Sequence, residues 1–316
     1  MELKQKYPKR LHIEVTSRCN FKCLTCKHGF INYGNDMSET ILKTVIEELL
    51  PYANEIEMQG TGESLLSPNF NRLFDATKQY PNIKKILITN ASLISEEQIN
   101  DFVRSNMELI VSLDGASFDS YRLNRPVGDF GKIMSTLKRI GEEREKNGNS
   151  KFSYIINMVA TSENFHCIAE LINLAKQIGV DFVHISEVRE CMPDKSTWDR
   201  LKLDQCDERS IFETYVSNCA ILAKETGVGF SFNPYEKRNQ IKKKLCVSPW
   251  QHVFIGADGD VKFCCEQNFV IGNLLHESFD EIWSGEKATE FRNCMIEGIY
   301  HSICRNCCLP WGITYE

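Results

Sequence analysis

The chain of 316 residues has no apolar run approaching the roughly 18 residues that a bilayer-spanning helix requires. Its first ten residues, Met1–Arg10, are basic but are followed by no apolar segment, so they do not read as a secretory signal. Long basic tracts are missing too: the densest is Lys242-Lys243-Lys244 in a chain of net charge −6, which leaves no electrostatic footprint for nucleic acid. No internal repeat is visible. With these classes set aside, the expectation is a cytoplasmic globular protein, neither membrane-bound nor a nucleic-acid partner. Its length suits one large domain and a smaller one.

Cysteine, in contrast, is abundant. There are fourteen, and in a reducing compartment so many are expected as metal ligands or redox groups rather than disulfides. They are unevenly placed: three stand at 19–26, seven between 246 and 308, and only Cys167, Cys191, Cys206 and Cys219 lie between. The first group, Cys19, Cys23 and Cys26, forms a CxxxCxxC run directly after the strand-like Leu11–Val15. Three thiolates at this spacing suit three irons of a cubane [4Fe-4S] cluster and leave the fourth iron open. An open iron is a binding place for a substrate or cofactor, which points to catalysis rather than plain electron transfer. The competing reading is a zinc site with His28 as fourth ligand.

Between residues 11 and about 225 the sequence alternates short apolar strands with amphipathic helices. Strands are expected at 11–15, 55–59, 86–89, 109–113, 152–160 and 182–186, and helices at 38–50, 69–78, 95–105, 130–143, 165–177 and 209–224. Six β/α units give a parallel sheet with helices outside it, too few to close an eight-stranded barrel. The expected fold class is therefore α/β: a partial (β/α)6 TIM-like barrel with function at the C-terminal ends of its strands, where the cysteine loop emerges. A further strand is expected at 227–232. The expected domains are 1–232, a lysine-rich linker 233–245, and a small module 246–316.

The CxxxCxxC loop after a first strand resembles the signature of the radical S-adenosylmethionine (SAM) superfamily. The resemblance implies that SAM chelates the open iron and that an electron cleaves it to methionine and a 5′-deoxyadenosyl radical. Gln59-Gly60-Thr61-Gly62-Glu63-Ser64, after the second strand, resembles the family's Gly-Gly-Glu-Pro motif. Gly62 and Glu63 match it and would hold the SAM amino group; Ser64 replaces the proline. Taken without the family, the same glycines are a loop that lets the backbone approach a ligand. Thr89-Asn90-Ala91 stands where relatives often show Thr-Asn-Gly, which makes Asn90 a SAM contact. Ser112 and Asp114 match polar groups that reach the SAM ribose or carboxylate, although Asp114-Gly115 is also an ordinary strand-ending turn. Arg125, preferred to Arg122, would pair with the SAM carboxylate. Asn157 is either a further SAM contact or a hydrogen-bonded sheet residue. One departure stands out: the family usually carries an aromatic residue before the third cysteine, and here it is Thr25.

In the C-terminal group, twelve residues separate Cys246 from Gly259 and four separate Gly259 from Cys264, with Cys304-x-x-Cys307 further on. This resembles the opening of the SPASM domain, an auxiliary-cluster module. The chain ends nine residues after Cys307, so the shortened twitch form with one [4Fe-4S] cluster is expected. Cys246, Cys264, Cys304 and Cys307 are its expected ligands, and full ligation makes it an electron relay; zinc in the same four sulfurs is the alternative. The module is similar to that of 2-deoxy-scyllo-inosamine dehydrogenase, a radical SAM alcohol oxidase. Cys265, Cys294 and Cys308 are left over. Cys265 is a candidate hydrogen-atom donor, an alternative ligand to Cys264, or simply a packed side chain.

Together these features lead to the expectation of a radical SAM oxidoreductase with two [4Fe-4S] clusters, SAM, and a flavodoxin or ferredoxin as electron donor. It would oxidise a small polar metabolite, such as a sugar or cyclitol alcohol, by two electrons. His184, Glu187, Arg189 and Glu190, in and after the sixth strand, are candidates to take a hydroxyl proton. The alternative is maturation of a ribosomal peptide. Only ten residues precede the first strand, so an N-terminal peptide-recognition domain is not expected. Outside enzymes, a metal-stabilised binding module explains the C-terminal cysteines but not the first loop.

Overall fold

The structure is a computed structural model that describes residues 6–26, 34–190, 194–203, 206–234, 246–265, 268–301 and 304, with the side chains of 206–208 excepted. The strands are β1 (Arg10–Ile13), β2 (Glu55–Glu57), β3 (Lys84–Thr89), β4 (Met107–Ser112), β5 (Phe152–Ala160), β6 (Phe182–Glu187), β7 (Gly229–Asn233), β8 (His252–Ile255), β9 (Asp260–Lys262) and β10 (Gly272–Asn273). The α-helices are α1 (Glu39–Thr44), α2 (Pro68–Thr77), α3 (Glu96–Val103), α4 (Phe118–Arg122), α5 (Phe130–Asn147), α6 (Ile168–Gln177), α7 (Lys195–Leu201), α8 (Cys206–Thr226), α9 (Ser248–Gln251), α10 (Phe279–Ser284) and α11 (Glu286–Ile296). The chain forms two compact units. One comprises Met1–Arg18, Tyr33–Ile86 and Glu236–Glu316; the other comprises Cys19–Asn32 and Leu87–Tyr235.

In the first unit the strand order is β10-β9-β8-β1-β2-β3. β1 runs parallel to β2, with Arg10 opposite Glu55, and parallel to β8, with Arg10 opposite His252. The first strand of the C-terminal module thus extends the sheet on the free side of β1, a pairing that no local sequence signal announces. Side chains alternate along β1: Leu11 and Ile13 are fully buried, while Arg10 on the opposite face pairs with Glu55 and Glu57. The helix expected at 38–50 begins as expected, with the Ser38 hydroxyl accepting from the Ile41 N–H. It then widens to a π-helix over Val45–Leu49 and tightens to a 3-10 turn over Leu50–Tyr52. Pro51 has no N–H to continue the α-helical ladder.

In the second unit the order is β3-β4-β5-β6-β7, parallel wherever register is defined, with Ser112 opposite Asn157 and His184 opposite both Asn157 and Ser231. Burial alternates strictly along β4, β5 and β6. Val111, Ile156 and Ile185 are buried on one face, and Ser112, Asn157, His184 and Ser186 are half-exposed on the other. Helix α7 occupies the stretch that the sequence reads as a plain connection. Its start is fixed by Asp194, whose carboxylate accepts from the Ser196 and Thr197 N–H groups. Among the described residues no helix is long and apolar enough to cross a membrane.

Candidate active site

The first cysteine loop lies in the second unit, and Asn124 brackets its backbone. The Leu24 N–H donates to the Asn124 carbonyl at 2.9 Å, the Thr25 N–H to Asn124 Oδ1 at 3.0 Å, and Asn124 Nδ2 donates to Thr25 Oγ1 at 2.9 Å. This accounts for threonine where relatives carry an aromatic residue: its hydroxyl completes a reciprocal bracket. Leu24 packs on Val188 and Leu201, together with Val159 and Trp198, so α7 covers the loop from its apolar side. At the loop's start, Asn20 donates to Ser92 Oγ and accepts from Asn90 Nδ2, both at 2.9 Å. Asn90 therefore reaches the cysteine loop directly. The following residue, Ala91, has φ 61°, a left-handed conformation that favours glycine, at the position where relatives often carry one.

Asp114 joins these parts. Its side chain is fully buried, and both oxygens are engaged: Oδ1 accepts from the Val159 N–H at 2.8 Å, and Oδ2 from Asn124 Nδ2 at 2.5 Å and Arg125 Nε at 2.6 Å. Its carbonyl accepts from Asn164 Nδ2 at 3.2 Å. Asp114 thus orients both the bracket and the arginine. Arg125 is itself 8% exposed, and among the described residues its terminal nitrogens have no hydrogen-bond partner. Arg122 is turned away over the Phe118 ring. Burial pushes the Cys23 thiol up to about 11, opposed by the Arg125 charge. A bare Cys23 keeps its proton, and iron binding would release it.

In the first unit, the Gly60–Glu63 loop is pressed against the chain leaving β1. A Cβ at Gly60 would overlap the Glu14 side chain, and one at Gly62 would overlap the backbone carbonyls of Thr16 and Arg18. Both glycines are therefore required by protein packing. The Thr61 N–H and hydroxyl donate to Glu14 Oε2 at 2.5 and 2.7 Å, and the Glu63 N–H donates to the Arg18 carbonyl at 2.8 Å. Glu63 is 3% exposed, and Ser64 Oγ donates to the Met58 carbonyl.

On the half-exposed face of β4–β7 the structure aligns hydrogen-bonding groups from separate strands that no local motif links. His184 Nδ1 lies 2.6 Å from Ser231 Oγ, and Ser186 Oγ donates to Asn157 Oδ1 at 3.4 Å. Glu187 is instead committed to Arg209 at 2.6 Å.

Of the C-terminal cysteines, Cys246, Cys264, Cys294 and Cys304 are partly exposed and Cys265 is exposed; Cys307 and Cys308 lie outside the described residues, as do His28 and most of 233–245. The surroundings are aromatic: Phe263 meets Trp283 and Phe291, and Phe269 meets Phe291 and His301. Among the described residues no three His, Cys, Asp or Glu side chains are gathered tightly enough to close on a single metal ion. A cubane makes a different demand, because each thiolate binds its own iron and bridging sulfides separate the irons.

A family model of the Radical SAM superfamily matches residues 13–175, and one of SPASM, an iron-sulfur cluster-binding domain, matches residues 246–308. The chain belongs to the radical SAM superfamily. It is 23% identical over 95% of its length to the tungsten-containing aldehyde ferredoxin oxidoreductase cofactor-modifying protein of Pyrococcus furiosus, covering 87% of that protein. It is also 23% identical over 90% of its length to the AdoMet-dependent heme synthase of Methanosarcina barkeri, covering 84% of it. The crystal structure of Streptococcus suis SuiB bound to S-adenosylmethionine matches 89% of the chain at TM-score 0.66 and 16% identity, with 66% of SuiB's length spanned. That likeness shows a shared fold.

As a radical SAM enzyme the protein binds SAM and a [4Fe-4S] cluster, and its SPASM domain binds auxiliary iron–sulfur. The residues present fit the first cluster. Cys19, Cys23 and Cys26 stand on one bracketed loop, close enough that Cys23 feels the charge of the other two.

Proposed function

We propose that this radical SAM enzyme oxidises a small hydroxyl-bearing molecule by two electrons. The observation that carries the reading is the row of hydrogen-bonding side chains on the half-exposed face of β4–β7: Ser112, Asn157, His184 and Ser186, in the same unit as the cysteine loop. Such a row suits hydroxyl groups. The curated relatives named above, whose names refer to a modified cofactor and to heme, support a small-molecule substrate over a peptide.

In this reading Cys19, Cys23 and Cys26 hold the SAM-binding cluster, and Cys246, Cys264, Cys304 and Cys307 hold the auxiliary one. Gly62 and Glu63 take the SAM amino group. Asp114 holds Arg125 with its terminal nitrogens left for the SAM carboxylate, a bidentate pairing that guanidinium geometry favours. Ser112, Asn90 and Asn157 complete the polar lining. SAM held there would supply the radical chemistry that takes the carbon-bound hydrogen, with a flavodoxin or ferredoxin as the source of the electron. His184, whose Nδ1 lies 2.6 Å from Ser231 Oγ on this face, is the residue that would take the hydroxyl proton. The auxiliary cluster that these cysteines would hold would take up the remaining electron, so that the C–H and O–H bonds are replaced by C=O.

The test is mass spectrometry of cells with and without the gene, grown without oxygen. A small polar metabolite that accumulates without the gene, and is replaced with it by one lighter by two hydrogens, is the expected result. A crosslinked or otherwise altered peptide would overturn the reading in favour of peptide maturation.

A further inference from the structure

Two buried side-chain polar atoms lack a hydrogen-bond partner among the described residues: the Tyr121 hydroxyl and Nη2 of Arg292. A buried donor left without an acceptor is costly, and a charged one more so. Arg292 is the more informative because its other contacts place it closely. Nε donates to the Pro249 carbonyl at 2.7 Å and Nη1 to the Trp283 carbonyl at 2.6 Å. The guanidinium lies 4.4 Å from the Trp283 ring centre and 5.1 Å from that of Phe263. Pro249 is in the turn of α9 that follows Cys246, and Phe263 immediately precedes Cys264. The guanidinium is thus fixed between the two segments that carry these cysteines. No carboxylate among the described residues pairs with it.

The aromatic faces stabilise the charge but offer no good acceptor for the Nη2 donor, and an anion beside it would supply one. A cubane held by four thiolates is a net anion, gains a further negative charge on reduction, and presents sulfur acceptors on every face. We propose that Arg292 is a positioning residue of the auxiliary cluster: Nη2 donates to a cluster or thiolate sulfur at the site that includes Cys246 and Cys264, and the fixed charge favours the reduced state. This rests on the reading of those cysteines as ligands. Charge and hydrogen bonds to sulfur are the protein's main means of setting such a potential. Arg292 thereby makes the auxiliary cluster a better electron acceptor.

The experiment uses the full-length chain with Cys19, Cys23 and Cys26 all replaced by Ala, so that only the auxiliary cluster remains. After anaerobic reconstitution, iron and sulfide are counted and the midpoint potential is read by a redox titration followed by electron paramagnetic resonance. Arg292→Gln is expected to keep the iron and shift the midpoint to lower potential. Arg292→Lys, which keeps the charge but not the fork, is expected to fall between it and the parent. An unchanged midpoint in Arg292→Gln overturns the proposal. If that variant holds no iron, Arg292→Lys decides: a smaller downward shift supports the proposal and an unchanged midpoint overturns it. A parent protein that binds no iron overturns the ligand reading itself, a failure distinct from that of Arg292.

Discussion

The two cysteine groups of this chain are set in opposite surroundings. The first loop is bracketed by polar groups: Asn124 holds its backbone, Asn90 reaches Asn20, and Asp114 anchors Asn124 and Arg125. The second is framed by Phe263, Trp283 and Phe291, with one buried cation and no carboxylate partner for it among the described residues. Polar brackets fix a loop while leaving hydrogen-bonding capacity for a ligand. An aromatic frame offers few hydrogen-bonding groups to a ligand, which suits the proposed electron transfer better than substrate binding. The difference matches a division between a cluster that binds SAM and one that relays charge.

The sharpest way to break the comparison is to remove one cysteine from each group. Cys23→Ala is expected to abolish SAM cleavage, measured as 5′-deoxyadenosine by chromatography. Cys264→Ala is expected to retain that cleavage while losing oxidised product. Equal loss of 5′-deoxyadenosine in both would erase the proposed division. Next in size is Asp114→Ala. It strands a buried arginine and the bracket asparagine, and removing one member of a buried ion pair costs about 3–5 kcal/mol. Urea denaturation should show a loss of that order.

A third test concerns the first unit, where burial pushes His12 and His252 down to about 4 from an ordinary value of 6.5. His12 Nδ1 lies 3.2 Å from Glu57 Oε2, but desolvation outweighs that contact, so above about pH 4 both histidines are neutral in the folded chain. Between pH 6.5 and about 4 the unfolded chain binds protons that the folded chain does not, so stability falls as pH drops through that window. The slope approaches about 1.4 kcal/mol per pH unit for each histidine. Denaturation midpoints from pH 7 to 4 test this, and His252→Gln should flatten the profile. The smallest expected effect is that of Ala91→Gly, which relieves a left-handed alanine worth about 1 kcal/mol, offset in part by glycine's entropy. A small rise in melting temperature is the expected outcome, and a fall would mean that the Ala91 methyl packs usefully.

Much of this was legible in the residues. Period-two strands and amphipathic helices announced the parallel sheet, and cysteine spacing announced the clusters, because both signals are local. Asp114 and Arg125 were legible as motif members, but their mutual pairing was not: it depends on β4 and the loop after α4 being brought together by the fold. Asn124 carried no signal at all, being a loop asparagine whose bracket partner Thr25 lies 99 residues away. Helix α7 was missed because it has only seven residues, too few to show a helical period, and is specified mainly by its Asp194 cap.

The pairing of β8 with β1 bears on how the protein is made. In synthesis Arg10 emerges long before its sheet neighbour His252. Until then the outer side of β1 is an open strand edge, a template for mispairing with other nascent chains. Pairing over such a separation is also slow. A shortened gene product lacking residues beyond 245 would keep that edge permanently, so poor yield of such a fragment would reflect aggregation through β1 rather than loss of iron.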